Sequence, residues 1–422
     1  MREIVKPESP FMSRLLSVVL CFLLLPSLTV AQDRAAVERQ FQTWLKQEIW
    51  PMAQKKGVSR RVFDTSIAGV TLNWKLPGLV PPGSAPVPRQ QTQAEFGAPS
   101  RYFRRESVEG AARVGRQMAK RHASALAATE RKTGVPGRIV LGIWGRESGY
   151  GKVPVRNNTF RVLATKGFMS TRNSFFTDEL VAALQIVQAG HIRGKDMKSS
   201  WAGALGQPQF MPSSFLNYAA DGNGDGKADI WNSEADTIAS IANYLKKHGW
   251  QAGRDWGFEV KVPASVSCAM EGPDQGRKIR DWAKLGVQRV SGKPFPDHEL
   301  RQEGYLLMPA GRHGPAFVVT PNFYVLKDYN TSDLYALFVG NIGDRIQYGM
   351  GDFSASWGKI DKMLRSDIAA MQRGLEAMGH DVGGADGLPG YKTRRSIGRW
   401  QEANGRSATC FPRASMKAKL AR

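Results

Sequence analysis

Apolar positions near the start of the chain recur three and four residues apart. From Val37 to about Ser66, Phe41, Leu45 and Ile49, then Val62, Phe63 and Ile67, mark two short amphipathic helices. Residues 76–88 break that rhythm with five prolines and two glycines and read as an exposed extended loop. Helical periodicity returns over residues 108–130, 138–146 and 178–187. Between about residues 258 and 326 the texture changes to short β-prone runs, 258–262, 316–320 and 323–326, separated by Pro and Gly, which predict a small sheet. Leu334, Leu337 and Phe338 restore helical spacing over residues 333–346, with Ser332 or Asp333 placed to cap. After Trp357 a last segment carries one helix marked by Ile368, Met371, Leu375 and Met378, and another by Ile397 and Trp400. The turn-rich stretch 383–390 lies between them. The expected fold is mainly α (α+β).

At 422 residues, with 42% hydrophobic and 23% charged, the chain is long enough for a large domain and a smaller one and too apolar for disorder. Its N-terminus changes the picture. Arg14, the apolar run 15–25, Pro26 and Thr29-Val30-Ala31 form the basic, apolar and small-residue parts of a secretory signal. Cleavage is expected after Ala31, because the apolar run is short for a membrane span. Cys21 follows Leu20, where a lipid-anchoring signal would have a small residue, so no stable membrane anchor is expected. The net charge of +22 favours a polyanionic partner, which for an exported chain points to wall polymer or lipid headgroups rather than nucleic acid; a generally basic solvated surface fits the charge as well. Cys268 and Cys410 remain after processing; an oxidising compartment permits their pairing, and no spacing demands it. The six histidines are isolated from one another, which disfavours zinc chemistry.

The chemistry concentrates in four places. Val140, Ile143, Trp144 and Glu147 fall at i, i+3, i+4 and i+7, so a carboxylate occupies the apolar stripe of a core-facing helix. Gly149 and Gly151 follow, ending the helix and allowing close approach. Desolvation there raises the carboxyl pKa toward neutrality, which suits a general acid; a structural Glu bonded to a buried Arg or to backbone fits the local pattern equally well. Residues 200–214 pack small residues, amides, hydroxyls and aromatics, which suits a groove lining in which Ser200 and Gln209 would offer donors and acceptors to sugar hydroxyls. An ordinary helix–loop junction has the same composition. Asp221-Gly-Asn-Gly-Asp-Gly-Lys-Ala-Asp229 places oxygen side chains at positions 1, 3, 5 and 9 and Gly at 6 of a calcium-type loop. Position 12 is Asn232 instead of Glu, and Asp236 is placed to close the coordination, so a structural calcium, a sodium or no ion remain open. Tyr329, Asn330 and Tyr335 bring aromatics and an amide to the turn before a helix, which also reads as a plain cap.

These blocks, Trp144-Gly-Arg-Glu-Ser-Gly-Tyr-Gly151, Ser200-Trp-Ala-Gly203, Gly206-Gln-Pro-Gln-Phe-Met-Pro-Ser-Ser214, Asn243-Tyr244 with His248-Gly-Trp250, and Tyr329-Asn330 with Tyr335, resemble the B-type lytic murein transglycosylases from about Phe41 to Trp357. Residues 361–420 are similar to a three-helix peptidoglycan-binding module, through Leu375, Gly379, Asp386-Gly387 and Lys392-Thr393. The resemblance implies a signal peptide (1–31), a lysozyme-like catalytic domain with a small β-containing subdomain (32–357), and a binding domain (361–422). It implies a monomeric periplasmic enzyme acting on peptidoglycan glycan strands, with no catalytic cofactor. Glu147 would serve as the single acid/base, assisted by Ser200 and Asn330, with Tyr102, Arg172, Gln209, Tyr244, Tyr329 and Tyr335 lining the groove. Asp221, Asn223, Asp225, the Lys227 carbonyl and Asp236 would hold the ion. Arg172-Asn173 stands where the family has paired arginines, and Gly206-Gln-Pro208 where it often has Gly-Tyr-Gly. Two rival functions are a hydrolytic muramidase, with Asp178 or Glu179 as second carboxylate, and a non-catalytic wall-binding scaffold.

Overall fold

The computed structural model describes residues 34–86 and 99–421, so the expected N-terminal signal and the last proline of the 76–88 loop, Pro88, lie outside it. The first amphipathic segment is one continuous helix, Arg34–Trp44 and Trp50–Lys55 joined by a π-helical stretch, Leu45–Ile49. Phe41, Leu45, Ile49 and Ala53 are all buried along it. Arg60–Ile67 is the second helix, capped by the Ser59 hydroxyl, which accepts the Val62 amide.

The long periodic stretch 108–130 divides into Arg105–Arg121 and Ala123–Thr133, which meet at His122. Its ring nitrogen stands 3.0 Å from the Glu234 carboxylate. Gly137–Ser148, the Glu147 helix, lies at the centre of the main core, with Ile139, Leu141, Ile143 and Trp144 fully enclosed. It runs antiparallel to Asp333–Tyr348, the Tyr335 helix. A Cβ on Gly142 would stand 2.6 Å from the Val339 carbonyl oxygen, so only glycine permits this spacing. At the opposite end from Glu147, Arg138 pairs with Asp344 at 2.7 Å and Asp255 at 2.8 Å, locking the two helices in register.

Asn157–Asn158 (β1) and Lys198–Ser199 (β2) form a small antiparallel ladder. The larger sheet uses Gly257–Lys261 (β3), Arg277–Lys278 (β4), Gln288–Arg289 (β5), Glu303–Leu307 (β6) and Ala316–Val319 (β8) in the order β4-β6-β8-β3-β5, with Pro309–Arg312 (β7) beside it. The pairings within it are antiparallel. One expectation fails here: residues 323–326 are not a strand but part of the helix Pro321–Tyr329. Pro321 occupies the first turn and the Thr320 hydroxyl accepts the Asn322 amide, so a start signal outweighs the β-prone composition of a run too short to show a period.

The C-terminal helices Arg365–Ala377 and Tyr391–Ala403 enclose a separate small core of Met371, Leu375, Ile397, Trp400, Met416 and Leu420. Lys417–Leu420 supplies a last short turn. This unit docks on the sheet. Cys268 and Cys410 form a disulfide across a sequence separation of 142 residues, beside the ion pairs Glu271–Arg394 and Asp274–Arg395. Breaking so long a covalent loop with Cys410→Ser should cost about 2–5 kcal/mol. Calorimetry without reductant should show a lower unfolding midpoint, and reduction of the parent chain should reproduce it; an unmoved midpoint would mean the bond adds no stability.

Candidate active site

Glu147 sits in the last turn of its helix, which Gly149 ends in the left-handed region at φ 57°. The Ser148 hydroxyl then accepts the Gly151 amide at 3.0 Å, turning the chain away and leaving the Glu147 carboxyl at the helix end. Tyr335, itself buried, donates its hydroxyl to Glu147 Oε1 at 2.5 Å. Burial pushes the Glu147 pKa up to about 7, against the smaller opposing pulls of the Tyr335 hydrogen bond and the neighbouring Arg146 charge. The carboxyl can therefore give up a proton and take one back near neutral pH.

An aromatic wall backs it. Tyr335 and Tyr329 are near-parallel, with ring centroids 6.4 Å apart, and Tyr244 stands 4.7 Å from Tyr329. The hydroxyls of the outer two are committed to backbone: Tyr329 donates to the Pro208 carbonyl at 2.7 Å and Tyr244 to the Asp328 carbonyl at 2.7 Å. These rings offer faces and bulk, while Tyr335 alone bonds the carboxyl. On the other side Arg146 lies over the rings of Tyr102 and Phe338, 5.0 and 5.1 Å from their centroids.

The remaining candidates are placed by turns. Ser200 accepts the Ala202 and Ala204 amides at 3.3 and 3.2 Å, closing the tight loop that carries Trp201, whose side is 56% exposed. Gln209 adopts φ 53° and donates its amide to the Gly206 carbonyl at 2.8 Å. Asn330 is exposed at the end of the helix Pro321–Tyr329, its Oδ1 accepting the Ser332 amide. Arg172 lies over the Phe175 ring, 4.2 Å from its centroid, at the start of the helix Asn173–Gln188. The structure thus sets Tyr335 and Tyr329 beside Glu147, with Tyr244 reached through Tyr329 and Tyr102 through Arg146, whereas no direct contact links Ser200, Gln209, Asn330 or Arg172 to its carboxyl.

Three further residues were not singled out by sequence reading. Gln207, noted only as a departure from the family pattern, accepts the Trp144 indole N–H at 2.9 Å and donates to the Trp231 carbonyl at 3.3 Å. A Cβ on Gly151 would lie 2.4 Å from its Oε1, so the glycine and this amide are matched in shape. Arg146 holds the Tyr102 ring, and Trp201 presents an exposed aromatic face. Of the two carboxyls considered as hydrolytic partners, Glu179 is buried and takes the Ser213 amide and hydroxyl at 2.8 and 2.6 Å. Asp178 is exposed on the same helix.

In the 221–229 loop, Asp221 accepts the Gly224 and Gly226 amides at 2.6 and 2.8 Å, and Asp225 the Lys227 amide at 2.9 Å. These amides, that of Gly226 first, hold the Asp221 carboxyl below its ordinary range. Asp236 lies beneath the loop. It is fully buried, and its two oxygens receive the amides of Gly222, Asn223 and Asp229, so it clamps both ends of the loop from within while Asp221, Asn223, Asp225 and Lys227 stay exposed. Among the described residues no group of three or more His, Cys, Asp or Glu side chains is gathered as a metal site.

Comparison with known proteins places this geometry. Residues 40–344 match the transglycosylase SLT domain. The membrane-bound lytic murein transglycosylase B of Escherichia coli (strain K12) is 33% identical over 214 residues, 50% of this chain; the match spans 57% of that relative's length. SltB3 from Pseudomonas aeruginosa, solved in complex with NAG-anhNAM-pentapeptide, superposes with a TM-score of 0.79 at 35% identity, covering 90% of this chain and 99% of that one. The Escherichia coli lytic transglycosylase Slt35 in complex with calcium has a TM-score of 0.51 at 29% identity, covering 61% of this chain and 80% of its own.

The raised pKa has a measurable stability consequence. An unfolded chain releases the Glu147 proton near 4.5 and the folded chain holds it to about 7, so ionisation destabilises the fold as pH rises across that window. Glu147→Gln should raise the thermal midpoint at about pH 8 and leave it unchanged at about pH 4. Equal midpoints at both pH values would show that the carboxyl is not held in its neutral form.

Proposed function

The chain belongs to the transglycosylase SLT domain family, and from that premise we propose that it cuts the β-1,4 bond between N-acetylmuramic acid and N-acetylglucosamine in peptidoglycan without water, leaving 1,6-anhydromuramic acid ends. The observation that carries this reading is the Glu147 carboxyl at the end of a core helix, with the Tyr335 hydroxyl as its side-chain hydrogen-bond partner at 2.5 Å; burial raises its pKa to about 7. Protonated Glu147 gives its proton to the departing glycosidic oxygen. The carboxylate left behind is stabilised by the Tyr335 hydroxyl and the Arg146 charge, and it then takes the proton of the muramic acid's own 6-hydroxyl as that oxygen closes on the anomeric carbon. A tethered nucleophile replaces bound water, and its effective molarity removes much of the entropic barrier.

A hydrolytic muramidase needs a second carboxylate across the scissile bond. Glu179 is spent on Ser213, which disfavours that reading. Ser200 and Asn330 are the polar groups we assign to the anomeric centre, and Tyr102, Arg172, Gln209, Tyr244, Tyr329 and Tyr335 to the groove. Residues 361–422 we assign to strand binding. Export to the periplasm fits the N-terminal leader and the Cys268–Cys410 bond; among the described residues no helix is long and apolar enough to cross a membrane.

Mass spectrometry of digested sacculi should show anhydro ends, and Glu147→Gln should lower the rate by at least about a hundredfold. Reducing ends would mean hydrolysis, and a fully active variant would mean a structural Glu147.

The 221–229 loop fits a hard cation through Asp221, Asn223, Asp225 and the Lys227 carbonyl, an all-oxygen set with the Gly226 turn such loops require. We assign it a structural calcium or sodium ion, a reading supported by the calcium complex of the similar Slt35. Calcium at about a hundred times its dissociation constant should stabilise the chain by about 2.7 kcal/mol, sodium less at equal concentration, and Asp221→Ala should abolish the shift. A midpoint indifferent to calcium, sodium and chelator would remove the ion from the account.

A further inference from the structure

Four charged side chains from three stretches of the chain meet at the start of the Tyr335 helix. Arg394, from the C-terminal helix Tyr391–Ala403, binds Glu271 through two nitrogens at 3.0 and 2.6 Å and reaches Asp333 at 3.2 Å. Asp333 in turn pairs with Lys327 at 2.6 Å. Glu271 also accepts the Met308 amide at 2.9 Å, and Arg394 donates to the Pro389 carbonyl at 3.0 Å. Both Arg394 and Glu271 are buried, at 3% and 0% exposure. Burial works against the Asp333 charge, and the Lys327 and Arg394 cations overcome it, holding its pKa below the ordinary value.

So deep a network gains little stability, because desolvation offsets most of its Coulombic attraction. What it supplies is direction. Asp333 is the first residue of the Tyr335 helix, three residues after Asn330 and two before Tyr335. Ser332 beside it caps that helix by accepting the Tyr335 amide at 3.1 Å, while its own amide is held by Asn330 Oδ1 at 3.2 Å. A displacement of Asp333 is therefore passed to both neighbours through one turn of chain.

We propose that Arg394 of the C-terminal unit is a positioning residue for the Tyr335–Glu147 pair: by holding Asp333 it sets the turn that carries Asn330 and the first turn of the Tyr335 helix. The C-terminal unit then acts on the reaction through the way it docks, in addition to any grip on the glycan. This inference rests on the transglycosylase reading above. The titratable groups that act on Glu147 are Tyr335 from the helix packed against its own, Tyr329 at the end of the helix Pro321–Tyr329, and the adjacent Arg146. Among these groups Tyr335 alone hydrogen-bonds the carboxyl, so loosening the Asp333 anchor removes the hydrogen bond that lowers the Glu147 pKa and leaves the Arg146 charge in place.

The test uses the full chain with its disulfide intact, soluble peptidoglycan oligomers as substrate, and pH profiles of kcat and kcat/KM for the parent, Arg394→Met, Arg394→Lys, Asp333→Asn and Glu147→Gln. Because Cys268 lies three residues from Glu271, the disulfide retains the unit when the charge is removed. Arg394→Met should lower kcat by about ten- to a hundredfold, the cost of a misplacement near 1 Å, with KM changed less. It should also move the alkaline limb of the profile to higher pH. Asp333→Asn keeps the Arg394–Glu271 pair, and hence the docking, and should show the same two effects; Arg394→Lys should recover most of both.

An Asp333→Asn variant with parent kcat and parent limb overturns the proposal, as does loss of activity in Arg394→Met with an unmoved limb, which marks a merely structural role. If Glu147→Gln stays active, the transglycosylase reading itself has failed. An inactive Glu147→Gln beside parent-like Arg394 and Asp333 variants rejects the positioning role alone.

Discussion

The close antiparallel contact between the Glu147 helix and the Tyr335 helix is the constraint on which the site depends. The missing side chain of Gly142 lets the Val339 carbonyl approach, and Gly343 leaves the Arg138 carbonyl 3.0 Å from where its own Cβ would stand. Both positions are in helices, where glycine costs about 1 kcal/mol in propensity relative to alanine. That cost is offset by the burial of Ile139, Val140, Ile143, Leu337, Val339 and Ile342 between and around the helices. With backbones this near, a tyrosine hydroxyl reaches a carboxylate 188 residues away in sequence. A wider spacing would leave Glu147 with the burial penalty and without its donor.

The same contact sets the balance of the carboxyl. Burial alone would hold Glu147 neutral, and full hydration would leave it ionised at neutral pH and useless as an acid. One strong donor and one adjacent cation bring it between these limits. The surrounding rings keep water from tipping the balance, and their outer hydroxyls are occupied by backbone carbonyls, so they do not compete with Tyr335 for the carboxylate. An arrangement of this kind sacrifices stability for reactivity, since the folded chain holds a group that would ionise more readily when unfolded.

Not all of the basic excess faces outward. Arg138, Arg345, Arg394 and Arg395 are buried, each in a bidentate or shared pairing that includes a carboxylate from a distant part of the sequence. They act as connectors. Arg394 and Arg395 join the C-terminal unit to the sheet, and Arg138 joins the two central helices to the turn at Asp255 and Trp256.

Periodicity in the sequence determined the central helices, the small sheet, the last two helices and the place of Glu147 on an apolar stripe, because these follow from local spacing and from the need to bury one face. The loop 221–229 and the turn before Tyr335 were legible for the same reason: turn residues act over a few positions. What local pattern could not decide was anything that depends on a second element. The run 323–326 became a helix because Pro321 and Thr320 started one; Asp236 turned inward because its helix packed beneath the loop; Cys268 met Cys410 only once the C-terminal unit had docked. Even odds between a structural and a reactive Glu147 could not be improved from its helix alone. Its desolvation, its Tyr335 donor and the Arg394 anchor come from three other stretches of chain, and only tertiary packing sets the distances among them.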